Sequence, residues 1–169
     1  MARRIADQIL ESAQCEIYAH PCYTIFDWLV LKSQDEHLCV SGKVTDPFKK
    51  HEVGNFLAAI ERDVAIRNDI EVLPALRFDD KLRITVARFI YGDPFFISYA
   101  RRPLPPIHIV IENGNVTLDG VVGSMVERIQ AGDDARLAEN VLSLTNNLQV
   151  GDSGFESAIE LAIFGTVTN

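Results

Sequence analysis

The sequence predicts an α+β protein built from two tandem αββαβ units. Each unit is expected to be a small mixed three-stranded sheet with two helices on one face, and a short C-terminal helix follows the second. Three observations carry this. Residues 105–120 read as a β-hairpin, the order helix, strand, strand, helix, strand runs twice, and the two runs register at one fixed offset. In the hairpin, Asn113-Gly114 suits a two-residue turn of the primed type, which needs φ > 0 at both central positions. That turn sets Glu112 opposite Asn115, Ile111 opposite Val116 and Ile109 opposite Leu118. Ile107, Ile109, Ile111, Val116 and Leu118 then share an apolar face, with His108, Glu112, Thr117 and Asp119 on the other. Gly120 falls opposite Ile107, where a side chain is unwelcome if the strand bulges or a neighbour packs closely.

In the first unit, Ala2 to about Ala19 reads as a helix, with Ile5, Ile9, Ala13 and Ile17 at four-residue steps. Pro21 ends it, because proline biases His20 away from the α region. Ile25 to Ser33 is aromatic and β-branched, hence a strand, and Leu38 to Val44 returns as a second. Asp46 is a natural N-cap with Pro47 at the first helical position. Val53, Phe56, Leu57 and Ile60 give the helical stripe, and Ile66 to Leu73 a third strand before Pro74.

The second unit opens at Asp79-Asp80 with a helix carrying Leu82, Val86, Phe89 and Ile90. After the hairpin, Ser124 and Glu127 form a capping box, and Leu144 to Val150 closes the unit. At an offset of 78, six identities fall within 31 gapless positions: Gly42/Gly120, Val44/Val122, Gly54/Gly132, Glu61/Glu139, Asn68/Asn146 and Val72/Val150. Apolar positions coincide too, so an internal duplication is the reading. The units are placed at 1–74 and 75–152. Residues 153–169 form the tail, where Ser153 and Glu156 cap a short helix stopped by Gly165.

Composition narrows the function classes. The chain has 169 residues, 47% hydrophobic and 24% charged, with a net charge of −8. That is a globular composition without the basic stripe nucleic acid requires. No apolar run reaches the roughly 18 residues of a membrane-spanning helix, and no signal peptide is visible at the N-terminus. Three cysteines, an odd count without a CxxC pair, imply no disulfide framework.

"PPIHIVIENGNVTLDGVVGS", a helix, and "LTNNLQV" resemble the BON domain, named for bacterial osmotically inducible and nodulation proteins. "FDWLVLKSQDEHLCVSGKVTDPFKK" through "RNDIEVLP" is similar to the weaker first copy of two-BON proteins, and "IEVLPALRFDDKLR" to their junction. The resemblance implies an αββαβ module of the periplasm or outer membrane that binds phospholipid and supports envelope integrity under osmotic stress. It brings no catalytic residues. Two positions depart from the family pattern: its glycine before each last strand is Arg62 in the first copy and Asn140 in the second. Asparagine tolerates the left-handed conformation and arginine pays for it. With no signal peptide in view, periplasmic or envelope placement rests on the resemblance, and a cytoplasmic one stays open.

Neither catalysis nor a cofactor is expected. His20, His37, His51 and His108 are scattered. Cys15, His20 and Cys22 with Cys39 would offer zinc ligands, but their spacing matches no common zinc pattern, so no metal site is expected. Asp79-Asp80 and Asp133-Asp134 are adjacent and do not face each other on a helix; the first pair suits a helix N-terminus. The one unusual concentration is the loop from Tyr91 to Arg102. Tyr91, Phe95, Phe96 and Tyr99 beside Arg101 and Arg102 suit a lipid headgroup region. The competing reading has the rings closing the core between helix and hairpin. Gly42, Gly120, Asn113, Gly114, Asn68 and Asn146 are taken as turn and repeat positions. The expectation is a non-catalytic binding module on an anionic phospholipid surface or another envelope protein. Assembly through sheet edges and small-ion binding are the alternatives, and an oligomer stays open.

Overall fold

Two separate sheets, one per half, organise the chain. The computed structural model describes residues 13, 17–34, 37–60 and 65–151. In the first half, β1 (Trp28–Gln34) pairs antiparallel with β2 (His37–Val44), α1 (Pro47–Ile60) crosses over, and β3 (Ala65–Val72) returns parallel to β2. In the second half α2 (Arg77–Gly92) precedes the hairpin of β4 (Ile107–Glu112) and β5 (Asn115–Val122). Then α3 (Met125–Arg136) crosses to β6 (Ser143–Asn146) and β7 (Gln149–Val150), both parallel to β5. Both halves therefore run strand, strand, helix, strand in one order, and the α+β class stands. In the second half both helices lie on one face of the sheet: Leu82, Val86 and Ile90 of α2 share a core with Ala131 and Ala135 of α3 and with Ile107, Ile109, Ile111, Val116 and Leu118.

The hydrogen bonding repeats as the sequence does. Asn68 donates to the Lys50 carbonyl and accepts from the Ile70 amide; Asn146 donates to Arg128 and accepts from Leu148. Leu73 N–H meets the Val44 carbonyl, and Gly151 N–H the Val122 carbonyl. Each of these pairs is displaced by 78 residues. Gly42 and Gly120 have φ of +128° and +127°, and a Cβ at either would sit 2.0 Å from a backbone oxygen, of Trp28 or Pro106. Only glycine fits such a position. Asn68 and Asn146 cross from sheet to helix and come close to Gly54 and Gly132, whose missing side chains leave room for the amides.

The hairpin has the expected register, Ile107 opposite Gly120 through Glu112 opposite Asn115, with Asn113 and Gly114 at φ 52° and 77°. Asn140 takes φ 71° before the closing strand; the corresponding turn at Arg62 lies outside the described residues. Asp46 accepts from the Phe48 amide at the start of α1, and Ser124 from the Glu127 amide at the start of α3.

Three details differ from expectation. The first strand begins at Trp28 rather than Ile25, because Ile25 and Phe26 pack against the second half's core and Ile109 N–H donates to the Ile25 carbonyl. Helix α2 starts at Arg77, two residues before Asp79. The closing strand splits into two pieces, since Asn147 N–H turns to the Leu118 carbonyl while the Asn146 side chain takes the Leu148 amide. Of the first expected helix only Ala13 and residues 17–19 are described, and the expected C-terminal helix lies outside the described residues.

Candidate functional site

The halves meet where the open face of β4 is covered, and every residue from Ile107 to Ile111 is buried. His108 is the centre of this junction. Its ring lies 5.5 Å from that of Tyr23 and 5.0 Å from that of Trp28. Its Nδ1 is 2.7 Å from the Asp27 carbonyl oxygen; a carbonyl can only accept, so this nitrogen carries the proton. Burial lowers the His108 pKa to about 4, against the opposing pull of Asp27 and the Thr24 backbone. The same Asp27 is itself fully buried. Its carboxylate accepts from the amides and hydroxyls of Thr24 and Thr45 and from Lys49 Nζ at 2.6 Å. A buried carboxylate with five donors and a counter-charge is a structural hub.

Beyond His108 the junction opens into a cleft of about 360 Å³, lined by Trp28 and Lys43 from the first half and Glu112, Thr117 and Asp119 from the second. Lys43 pairs with Glu112 across it and reaches Glu71 at 3.7 Å. Burial raises the Asp119 pKa, partly offset by a hydrogen bond from Asn147.

The aromatic loop divides by position. Phe96 and Tyr99 are buried in the second core. Tyr99 Oη donates to Glu127 at 2.7 Å and accepts from the Gly123 amide at 3.0 Å. Burial, with the Glu127 bond, pushes the Tyr99 pKa up to about 12. Tyr91 places its hydroxyl between the carbonyl and amide of Ile107 and so clasps the start of β4. All three rings make packing contacts within the second half, with Phe96 and Tyr99 buried and Tyr91 partly buried. Phe95 and Arg101 remain exposed, and Arg102 stacks over the Tyr99 ring at 5.1 Å.

The loop is tied to the first turns of α3 by Tyr99–Glu127 and by Gln130 donating to Asp93. Exposed Phe95 and Ile97 therefore share one end of the molecule with Met125, Val126 and Ile129, all five between 44% and 60% exposed. This apolar end was not legible beforehand, because Met125, Val126 and Ile129 read as ordinary helix residues. A second exposed group follows the groove between α2 and α3, where Phe78, Phe89 and Leu137 meet Lys81 and Glu139.

Asp79 is the other residue whose role the sequence concealed. It is fully buried and accepts from the amides of Asn113 and Gly114, clamping the hairpin turn. Arg83, one turn on, donates to the Ile111 carbonyl. Among the described residues no three His, Cys, Asp or Glu side chains converge as metal ligands. Cys22 and Cys39 are free thiols, and Cys15 lies outside the described residues. No helix among the described residues is long and apolar enough to cross a membrane.

Comparison with known proteins bears on the second half. The BON domain family profile matches residues 97–152, from the aromatic loop through the hairpin and α3 to the closing strand. The second half thus carries the sequence features of a family associated with envelope and stress proteins. No curated protein matches the chain in sequence. Among solved structures, the C-terminal domain of CdsD, a structural protein of the type III secretion system of Chlamydia trachomatis, is similar at 9% identity. That match covers 86% of this chain and 66% of the solved one, with a TM-score of 0.35. A second CdsD structure matches at 11% identity, covering 92% and 67%, also with a TM-score of 0.35. The chain thus spans about two thirds of those chains.

Proposed function

We propose that the protein is a non-catalytic envelope module of two BON-like units, 1–74 and 75–152, which associates with anionic phospholipid through the exposed end of the second unit. The observation that carries this reading is the joint exposure of Phe95, Ile97, Met125, Val126 and Ile129 at one end, beside Arg101 and Arg102. Apolar side chains enter the headgroup boundary while guanidinium groups meet phosphate. The protein as a whole is acidic, so the attraction is local and screened beyond roughly 8–10 Å in physiological salt. Each arginine is worth about 1 kcal/mol at an anionic surface. Arg101→Glu/Arg102→Glu should therefore weaken co-sedimentation with phosphatidylglycerol vesicles by roughly 30-fold or more. Arg102 also stacks on Tyr99, so the double variant loses about 0.5–1 kcal/mol of stability; Arg101→Glu alone should keep the thermal midpoint. Val126→Ser/Ile129→Ser tests the apolar half. Unaltered vesicle binding by both double variants would refute the reading.

A second reading is assembly with a protein partner, favoured by the groove of Phe78, Phe89 and Leu137 between α2 and α3. Sedimentation velocity separates the two. Self-association that Leu137→Glu abolishes, with no vesicle binding, would favour assembly.

A further inference from the structure

The cleft at the junction has the makings of a ligand site independent of the lipid reading, since it lies between the sheets. Sites of this kind concentrate where domains meet and combine an apolar wall with a few polar groups. Here the wall is Trp28, the sole tryptophan of the chain. The charges along the cleft do not balance. Lys43 is engaged by Glu112 and Glu71, whereas Asp119 receives its hydrogen bond from the neutral amide of Asn147 at 3.1 Å. The His108 ring near the indole is buried and neutral, so it supplies no positive charge to that wall. A surplus carboxylate disfavours an anion. A hard metal ion wants several oxygen ligands, and among the described residues no such group converges. A cation whose charge sits on a small organic group satisfies both the carboxylate and an aromatic face.

We propose that this cleft binds a small organic cation, an ammonium group set between the Asp119 carboxylate and the Trp28 indole. The volume of about 360 Å³ admits a compact amine and lies at the lower end of small-molecule pockets. The ammonium is the recognised chemistry, whether it belongs to a free amine or to a lipid headgroup.

Because Trp28 is the sole tryptophan, its emission reports on the cleft directly. The full chain is titrated with choline and with ethanolamine at constant ionic strength, and with 3,3-dimethylbutan-1-ol as the neutral isostere of choline. The expected result is a saturable change with at least one amine, and a response to the neutral alcohol at least tenfold weaker. Asp119→Asn should weaken the amine at least tenfold, while Lys43→Gln, which adds net negative charge, should tighten it severalfold. A misfolded variant cannot produce that opposite sign. Phosphatidylcholine vesicles give the second arm: an Asp119-dependent response to them as well as to free choline assigns the cation to a headgroup. A response to free amine alone assigns it to a soluble ligand. No saturable change in either arm, equal response to the alcohol, or indifference to Asp119→Asn would overturn the proposal.

Discussion

Acidification should destabilise this protein through His108 before most carboxylates titrate. The imidazole is buried between Tyr23 and Trp28, and burial lowers its pKa from 6.5 to about 4. A histidine with a depressed folded pKa favours the folded state while it is neutral. As pH falls below 6.5 the unfolded chain takes up the proton and the folded chain does not, so stability is lost from about pH 6.5 down to about pH 4. Between pH 7 and pH 5 this one group removes about 2 kcal/mol. Asp119 has the opposite sign: its folded pKa is raised by burial, so the folded state binds protons more readily and gains stability on acidification. Asp119 is present in both proteins compared below, so its gain drops out of the difference between them. Urea unfolding at the two pH values, for wild type and for His108→Asn, isolates the histidine. Asparagine keeps an N–H for the Asp27 carbonyl but does not titrate. Wild type should lose about 2 kcal/mol more than the variant over this interval. Equal losses in both proteins would show that the imidazole is hydrated or already charged at neutral pH, and the account of the junction would fail.

Three further outcomes rest on the same geometry. Gly42→Ala and Gly120→Ala each bring a Cβ onto a backbone oxygen at positive φ, so each should cost about 3 kcal/mol or more in chemical denaturation. Asp79→Ala leaves two turn amides, that of Gly114 buried, without their acceptor, for a loss of about 2–3 kcal/mol, and Asp79→Asn should recover roughly half. Removing the Tyr91 hydroxyl with Tyr91→Phe should cost about 1–3 kcal/mol and speed amide exchange at Ile107, whose N–H it receives.

What could be read from the chain was what depends on neighbours in sequence or on its repetition. The Asn113-Gly114 turn fixes which side chains face which, and the 78-residue offset transfers one half's constraints to the other. Gly42 with Gly120, and Asn68 with Asn146, are legible because backbone geometry admits few residues there. Asp27, Asp79 and His108 were not, since their partners, Thr24 beside Asp27 apart, lie 18 to 81 residues away. An acidic pair at a helix start reads as a dipole partner until the hairpin turn is seen to fold back on Asp79. The aromatic loop was only partly legible for a related reason: Phe95 and Phe96 are adjacent, yet one is exposed and the other buried, and composition cannot tell them apart.

The two halves share their backbone constraints and differ in their polar contacts, most plainly at the Asp27 hub. Asp27, Thr45 and Lys49 correspond at the repeat offset to Pro105, Gly123 and Glu127, so the second half has no equivalent ion pair. There Glu127 bonds Tyr99 and the Gly123 amide instead. In the first half Lys49 is the counter-charge for a fully buried carboxylate. Lys49→Met should leave that charge uncompensated and cost about 3–5 kcal/mol, whereas Asp27→Asn/Lys49→Met should be less destabilised than Lys49→Met alone. A second readout distinguishes this from general damage. The Asp27 charge raises the His108 pKa through space, so stripping its counter-ion should raise that pKa further, toward the value of the unfolded chain. The loss of stability between pH 7 and pH 5 should then shrink below the about 2 kcal/mol of the wild type. If Lys49→Met costs under about 1 kcal/mol and leaves the pH dependence as it was, the four threonine hydrogen bonds hold Asp27 by themselves. The junction and the ion pair would then be energetically separate.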